Sequence, residues 1–291
     1  ASLKGQFRKD LAAADSAGRR PGVFAKIGDS NLGSYNVVYG LGCSNPVFSK
    51  YRGLAPTLRK YRAVPLSSGF PIPSALPASA PCSPGNSFSR YSAATRPGFY
   101  STAVLRPPED YVGGPDMWTP DPSCPATVTL VTCELSQVSP RYSLISTGTN
   151  DESFQLGTGA AAVERISDII AEVRRNRSVP VLLTIPPRLD LSSDTRHWQF
   201  AVAMNQAIVK AATQNRVPLL NVWRALATTR MKNFGMEPGG LHLQTFRGYS
   251  APDALQNSVN FRSAPLTYGN NRRNLLILQL LKRLDGQVRS L

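Results

Sequence analysis

The chain has few residues of several kinds, and each shortage narrows the functions open to it. Only 2 of its 291 residues are histidine and only 4 are cysteine. No two cysteines form a C-x-x-C pair and no Cys/His cluster has metal-ligand spacing, so the sequence predicts no metal and no other cofactor. No apolar run approaches the roughly 20 residues of a membrane-spanning helix, so no transmembrane segment is predicted.

Acidic residues are scarce relative to basic ones. Lys and Arg total 33 against 18 Asp and Glu, which gives a net charge of +15. The electrostatic field of so large a positive charge attracts polyanions but does not select among them. Anionic surface polymers are therefore candidate partners. A specific nucleic-acid partner is not predicted, because the sequence has no zinc module, basic helix or aromatic-basic RNA signature. Simple solubility is the alternative explanation of the charge.

Two kinds of apolar segment alternate along the chain: short continuous runs typical of buried strands, and stripes with helical spacing. Buried strands are predicted at 23–27, 142–146, 179–185 and 217–222. Helical stripes are formed by Ala162, Val163, Ile166, Ile169, Ile170 and Val173, and by Phe200, Ala203, Met204, Ala207, Ile208 and Ala211. This alternation predicts an α/β fold with a parallel sheet covered on both faces, in a single domain over residues 1–291.

Residues 64–125 differ from the rest of the chain. This region holds 13 of the 24 prolines and has little periodicity, which is typical of a linker. Its seven aromatic residues favour instead an ordered, irregular insertion pinned over the edge of the sheet, where we expect it to shape a pocket.

The four cysteines lie within or beside this insertion, and four thiols allow three pairings. The short span from Cys124 to Cys133 closes easily, which leaves Cys43 to join Cys82. Disulfides persist in oxidising compartments, so these bonds predict a secreted protein, whereas four reduced cysteines remain the alternative. No signal peptide stands at Ala1, so a secreted chain is expected to be the mature form.

Two polar turns follow predicted strands. Gly28-Asp29-Ser30-Asn31 comes directly after the first strand, and Thr147-Gly148-Thr149-Asn150-Asp151 comes after the second. Ligands of open parallel sheets bind beyond the carboxyl ends of the strands, so both turns are expected at one functional edge. Asp29 and Asp151 are interpreted as carboxylates that brace these turns.

With Gly240-Leu241-His242 and an apolar, basic C-terminal helix, these blocks resemble the SGNH, or GDSL-like, hydrolase superfamily from about Val23 to Leu284. The segments 184–188, 205–208, 218–226 and 273–275 are similar to a bacterial extracellular branch of it. The resemblance implies a three-layer α/β/α sandwich of the flavodoxin-like type, here with a long Pro-rich irregular insertion. It also implies hydrolysis of carboxylic esters.

Carried over by residue, the resemblance makes Ser30 the nucleophile, His242 the general base and Asn150 a side-chain donor to the oxyanion. The Ser30 N–H is a second donor, and the third is the N–H of Ala93, in the block Ser89–Ala94. A hydroxyl needs a base to accept its proton, and the tetrahedral oxyanion needs preorganised donors. His197, the other histidine, precedes a helix and is interpreted as a surface or capping residue.

One position departs from the family. Gly239 stands three residues before His242, where the family has the aspartate that orients the imidazole. Two interpretations follow: a Ser-His dyad, oriented by a backbone carbonyl or a carboxylate such as Glu237, or an impaired site kept for an extracellular binding or structural role. The leading hypothesis is a secreted serine esterase whose substrate is a small ester, an acylated carbohydrate or a lipid.

Overall fold

A computed structural model of the protein describes residues 2–34, 37–70, 82, 85–112, 114–190, 195–228, 230–248 and 253–289. The strands are β1 (Arg20–Gly28), β2 (Pro140–Ser146), β3 (Val179–Leu183) and β4 (Leu219–Leu220). The α-helices are α1 (Leu3–Ser16), α2 (Ser30–Gly33), α3 (Tyr39–Cys43), α4 (Ala55–Arg62), α5 (Leu130–Val138), α6 (Gly159–Arg175), α7 (Arg196–Asn215), α8 (Val222–Leu226), α9 (Ala254–Ser258) and α10 (Gly269–Arg289).

The strands form a parallel sheet in the order β1-β2-β3-β4. β4 is shorter than predicted because Asn221 ends the run: its side chain accepts a hydrogen bond from the Arg224 N–H and so caps α8. On the other side of β1, an isolated parallel bridge joins Gly28 to Thr95. Gly28 also pairs with Ser146, so the ends of β1 and β2 lie side by side, as the predicted edge requires.

Helices cover both faces of the sheet. α1, α4 and α10 pack with residues such as Phe24 on one face, and α5, α6 and α7 pack with residues such as Ile27 on the other. The predicted stripe of α6 is buried throughout, and that of α7 is buried except for Phe200 and Ala203, which are half-buried. The fold is therefore the predicted α/β/α sandwich with a parallel sheet.

The described part of the Pro-rich insertion is ordered without regular strands. It contains 3₁₀ turns at Ser101–Leu105, Pro108–Tyr111 and Asp116–Trp118. Phe99 stacks on Tyr111 with ring centroids 5.3 Å apart, and Trp118 meets Phe99 edge-on at 5.8 Å. Aromatic packing holds this segment against the second core face, since Phe99 and Tyr111 are buried there.

Two disulfides join Cys43 to Cys82 and Cys124 to Cys133, which are the predicted pairings. No described helix has the length and apolarity needed to cross a bilayer. Within the described ranges, no group of three His, Cys, Asp or Glu side chains could hold a metal ion.

Candidate active site

Ser30 begins α2, directly after the tight turn that ends β1. Gly28 has a φ of +141°, and a Cβ there would lie 1.8 Å from the Ser146 carbonyl oxygen, so only glycine fits against β2. Asp29 Oδ1 accepts a hydrogen bond from the Asn31 N–H at 2.8 Å, which caps α2. Ser30 is therefore the first residue of α2, where backbone N–H groups have no helical partner.

Asp29 is fully buried under this turn. Burial raises the pKa of Asp29 to about 6, while hydrogen bonding by Asn31 and Thr149 and the charge of His242 act to lower the pKa. A carboxyl group enclosed in this way braces the turn and is not presented to a substrate, in line with the interpretation of Asp29 from the sequence.

Ser30, His242 and Glu237 come together at the edge of the sheet. The Ser30 Oγ atom is 3.0 Å from His242 Nε2, and His242 Nδ1 is 3.1 Å from Glu237 Oε1. The same Glu237 oxygen accepts the His242 backbone N–H at 3.1 Å. The His242 side chain is 36% exposed and that of Glu237 is 23% exposed. The dyad predicted from the sequence thus has an acidic neighbour, and it is Glu237, two residues before Gly239.

A tight turn brings Glu237 back onto His242. The Glu237 N–H donates to the His242 carbonyl, and the Gly240 N–H donates to the Glu237 carbonyl, both at 2.9 Å. Gly240 has a φ of +73°, and a Cβ there would lie 2.4 Å from the Leu189 carbonyl carbon. A Cβ on Gly239 would meet no atom closer than Glu237 Oε1, at 3.8 Å. The turn therefore requires glycine at 240 and not at 239.

Asn150 lies in the turn after β2. Its Nδ2 donates to the Phe99 carbonyl at 3.0 Å, which leaves the second hydrogen on that nitrogen for a ligand. Next to it, Asp151 accepts the Ser101 N–H and hydroxyl, both at 2.7 Å, and lies 3.1 Å from Arg165 Nη2. Both residues thereby tie this turn to the insertion, and Asp151 has the bracing role expected of it.

The assignment of Ala93 as an oxyanion donor is wrong. Its N–H is buried and donates to Glu134 Oε2 at 2.9 Å. Glu134 lies on α5 and is also paired with Arg90, whose Nε is 3.2 Å from Oε1. A backbone N–H held by a buried carboxylate is not available to a developing negative charge in a substrate. The Glu134 partner is 41 residues away in sequence, so the local block gave no sign of it.

Four residues to which the sequence assigned no role connect the two turns. Asn31 Nδ2 donates to Thr149 Oγ1 at 2.9 Å. Arg188 Nη1 donates to the Thr149 carbonyl at 3.0 Å, and Arg273 Nη1 donates to Asn31 Oδ1 at 3.3 Å. Arg188 and Arg273 stand in segments that carry the family resemblance, which was the available signal. Together these contacts fix Ser30 and Asn150 relative to each other.

His197 lies in the first turn of α7 and contacts Glu152, not Glu237. Its Nδ1 lies 2.5 Å from Glu152 Oε2, and Arg188 Nη1 lies 3.7 Å from the same oxygen. The contact of His197 with Glu152 holds the loop after Asn150, so the role of His197 is structural. His242 is therefore the histidine that the structure brings to Ser30.

Residues 124–249 match the GDSL-like Lipase/Acylhydrolase family, and that segment contains Asn150, Glu237 and His242. The fold is similar to a carbohydrate esterase family 3 protein from Talaromyces cellulolyticus, with a TM-score of 0.51 and 14% identity, covering 89% of this chain and 98% of that chain. Residues 124–249 are thus similar to the GDSL-like family, and the fold as a whole is similar to that of this esterase.

A second solved structure with the same fold is an acetyl esterase mutant with acetate ion. It is 14% identical, has a TM-score of 0.51, and the match covers 90% of this chain and 98% of that chain. No curated protein sequence matches the chain. The family match is confined to residues 124–249, and the two solved structures show the fold.

Proposed function

We propose that the protein is a secreted ester hydrolase that acts through an acyl-enzyme, with Ser30, His242 and Glu237 as its catalytic triad. The observation that carries this proposal is the pair of contacts at His242, 3.0 Å from the Ser30 hydroxyl and 3.1 Å from the Glu237 carboxylate. A nucleophile, a base and an orienting acid in this order form the arrangement that activates a serine.

In the proposed reaction, Ser30 Oγ attacks the ester carbonyl carbon while His242 Nε2 accepts the hydroxyl proton. Glu237 accepts a hydrogen bond from Nδ1–H and stabilises the imidazolium. The tetrahedral intermediate then collapses, the alkoxide leaves with the proton from Nε2, and the acyl group stays on Ser30. Water attacks the acyl-enzyme with His242 again as base, which releases the carboxylic acid and restores the hydroxyl.

The oxyanion hole of the proposal has two donors. One is the Ser30 N–H at the first position of α2, where the helix terminus also favours negative charge. The other is the Asn150 Nδ2 hydrogen not used by Phe99. Since the Ala93 N–H is excluded, no third donor is assigned.

Among the three substrate classes, an acylated carbohydrate has the most support. An aromatic cluster of Tyr100, Trp118 and Phe154 lies beside Asn150; the Tyr100 and Phe154 rings are 4.5 Å apart, and Phe154 is 40% exposed. Exposed aromatic faces of this kind line sites for small organic ligands. The names of the two solved neighbours refer to a carbohydrate esterase and an acetyl esterase. Two disulfides support export, and we propose that residues 1–291 act as one domain.

The test combines labelling with turnover. Wild-type protein should react at Ser30 with a serine-directed phosphonate and should hydrolyse a short-chain activated ester. Ser30→Ala should lose both properties, while Ser16→Ala, a change at an exposed serine of α1, should keep them. Asn150→Ala should lower turnover about 10²–10³-fold through loss of one oxyanion donor. A wild-type rate equal to that of Ser30→Ala would favour the alternative, a catalytically inactive protein with a binding role.

A further inference from the structure

Four neighbouring cavities run along one side of the molecule. The first two have volumes of about 560 Å³ each and lie around Lys50 and Tyr51, which line both. A third cavity of about 250 Å³ shares Thr267 with the first, and a fourth of about 310 Å³ shares Asn233 and Pro238 with the third. Each cavity thus shares at least one lining residue with the next, and we call the four together the groove.

The groove has unpaired cations in three of its four cavities. Six of its lining residues are Lys50, Arg230, Lys232, Arg272, Lys282 and Arg283. No Asp or Glu lines any of the four cavities, and none of these six cations forms an ion pair with a described carboxylate. Arg188 also lines the fourth cavity but is already paired with Asp190. Unpaired cations collected in a concave surface raise the local concentration of anions.

One end of the groove borders the turn from Glu237 to His242. The fourth cavity is lined by Pro238 and Gly240, which belong to the same turn as Glu237 and His242. A chain bound along the groove therefore passes next to the turn that presents His242 to Ser30.

We propose that this cationic groove binds an anionic polysaccharide, and that the acyl ester cleaved at Ser30 is carried by that polymer. The inference rests on the proposed function. A single small anion would occupy one cavity and leave the other cations unused, whereas a polymer with repeated carboxylates meets all of them. A nucleic acid also has repeated charges, but it has no carboxylic ester for Ser30 to attack.

Binding is tested without turnover, in the Ser30→Ala protein, with polygalacturonate as the probe. The groove variant adds Lys50→Gln, Arg230→Gln and Arg283→Gln, all at exposed side chains. The matched control adds Arg8→Gln, Lys9→Gln and Arg177→Gln, which are exposed, lie outside the groove and change the net charge equally. The dissociation constant should rise about tenfold or more in the groove variant and much less in the control, since each lost charge contact contributes modestly.

An equal rise of the dissociation constant in both triple variants would contradict the proposal that the groove binds the polymer. Absence of binding by the Ser30→Ala protein would contradict it as well. Binding of single-stranded DNA with the same affinity and the same dependence on the groove cations would also overturn it, because it would show adsorption of any polyanion.

A second measurement uses the wild-type enzyme on acetylated polygalacturonate and on neutral acetylated xylan. Added salt should raise KM for the anionic polymer several-fold and leave KM for the neutral polymer unchanged, because screening weakens only the charged contacts. Hydrolysis of both polymers with equal salt response would refute the groove and leave the esterase standing. Hydrolysis of neither, with polygalacturonate still bound in the groove, would keep the groove as a binding site and refute the claim that the polymer carries the ester cleaved at Ser30; whether the protein still cleaves the activated ester then decides on the esterase itself.

Discussion

At the residue scale, the position of the acid decides how His242 is held. Glu237 lies five residues before His242 and contacts it through the tight turn, so in the proposed triad it takes the place of the aspartate that the family has three residues before the histidine. Changing Glu237→Gln keeps the size of the side chain but removes the charge that stabilises the imidazolium. We expect turnover of an activated ester to fall by up to about 10⁴-fold with the fold intact. Glu164→Gln, at an exposed site on α6, is the matched control.

Gly239→Asp tests the same point from the other side. Its Cβ would lie 3.8 Å from Glu237 Oε1, so a second carboxylate would stand beside the first. In the wild-type background we therefore expect unchanged or lower turnover, because like charges close together are destabilising. In the Glu237→Gln background the same change should recover part of the lost turnover. A gain from Gly239→Asp alone would show that the natural site lacks an effective acid.

Asp29 gives a prediction about stability and pH. Burial raises its folded-state pKa to about 6, above its value of about 3.9 in an unfolded chain, so the folded state binds the proton more tightly. The stability this proton brings is fully present below about pH 4 and is lost as pH rises through about 6. Asp29→Asn lacks that loss, so its free energy of unfolding relative to wild type should rise by about 2 kcal/mol between pH 4 and pH 7. Denaturant unfolding at the two pH values measures it, and a constant difference would contradict it.

At the scale of elements, the turn from Glu237 to His242 depends on one glycine. Gly240→Ala would place a Cβ 2.4 Å from the Leu189 backbone in a left-handed conformation, so the turn must move and take His242 with it. We expect a stability loss of about 1–3 kcal/mol and a large loss of turnover. Gly239→Ala, whose Cβ would make only an ordinary van der Waals contact with Glu237, should change neither by much. Thermal unfolding and ester hydrolysis measured for the pair would refute the account if the two variants behaved alike.

Elements with strong local patterns were the predictable ones. The apolar run before Gly28 and the stripe of α6 specify β1 and a buried helix without help from distant residues. Two contacts could not be predicted, because they join segments through the fold. The Ala93 N–H is taken by Glu134 on α5, and the choice of Glu237 over a backbone carbonyl depends on how its turn closes. Sequence spacing supplied the candidate residues, and packing selected among them.

At the scale of the whole molecule, the two disulfides should differ in what they contribute. Cys43 and Cys82 are 39 residues apart, whereas Cys124 and Cys133 are only 9 apart. In the chain-entropy description, closing the longer loop stabilises by about 4 kcal/mol and closing the shorter one by about 3 kcal/mol. The longer bond also ties the segment after α2 to the Pro-rich insertion, which contacts Asn150 through Phe99.

Replacing both cysteines of one pair by serine tests this difference. The Cys43/Cys82 variant should unfold at lower denaturant than the Cys124/Cys133 variant, and it should lose more turnover, since the insertion that it anchors also positions Asn150. Peptide mapping without reductant gives the pairing in the wild-type protein. Free thiols or crossed bonds would contradict both the ranking of the two disulfides and the proposed export, which rests on the disulfides. If the shorter bond proved the more stabilising, loop closure could not be its main effect, and the contacts of Cys124 and Cys133 with Ala93 in their small apolar cluster would have to supply the difference.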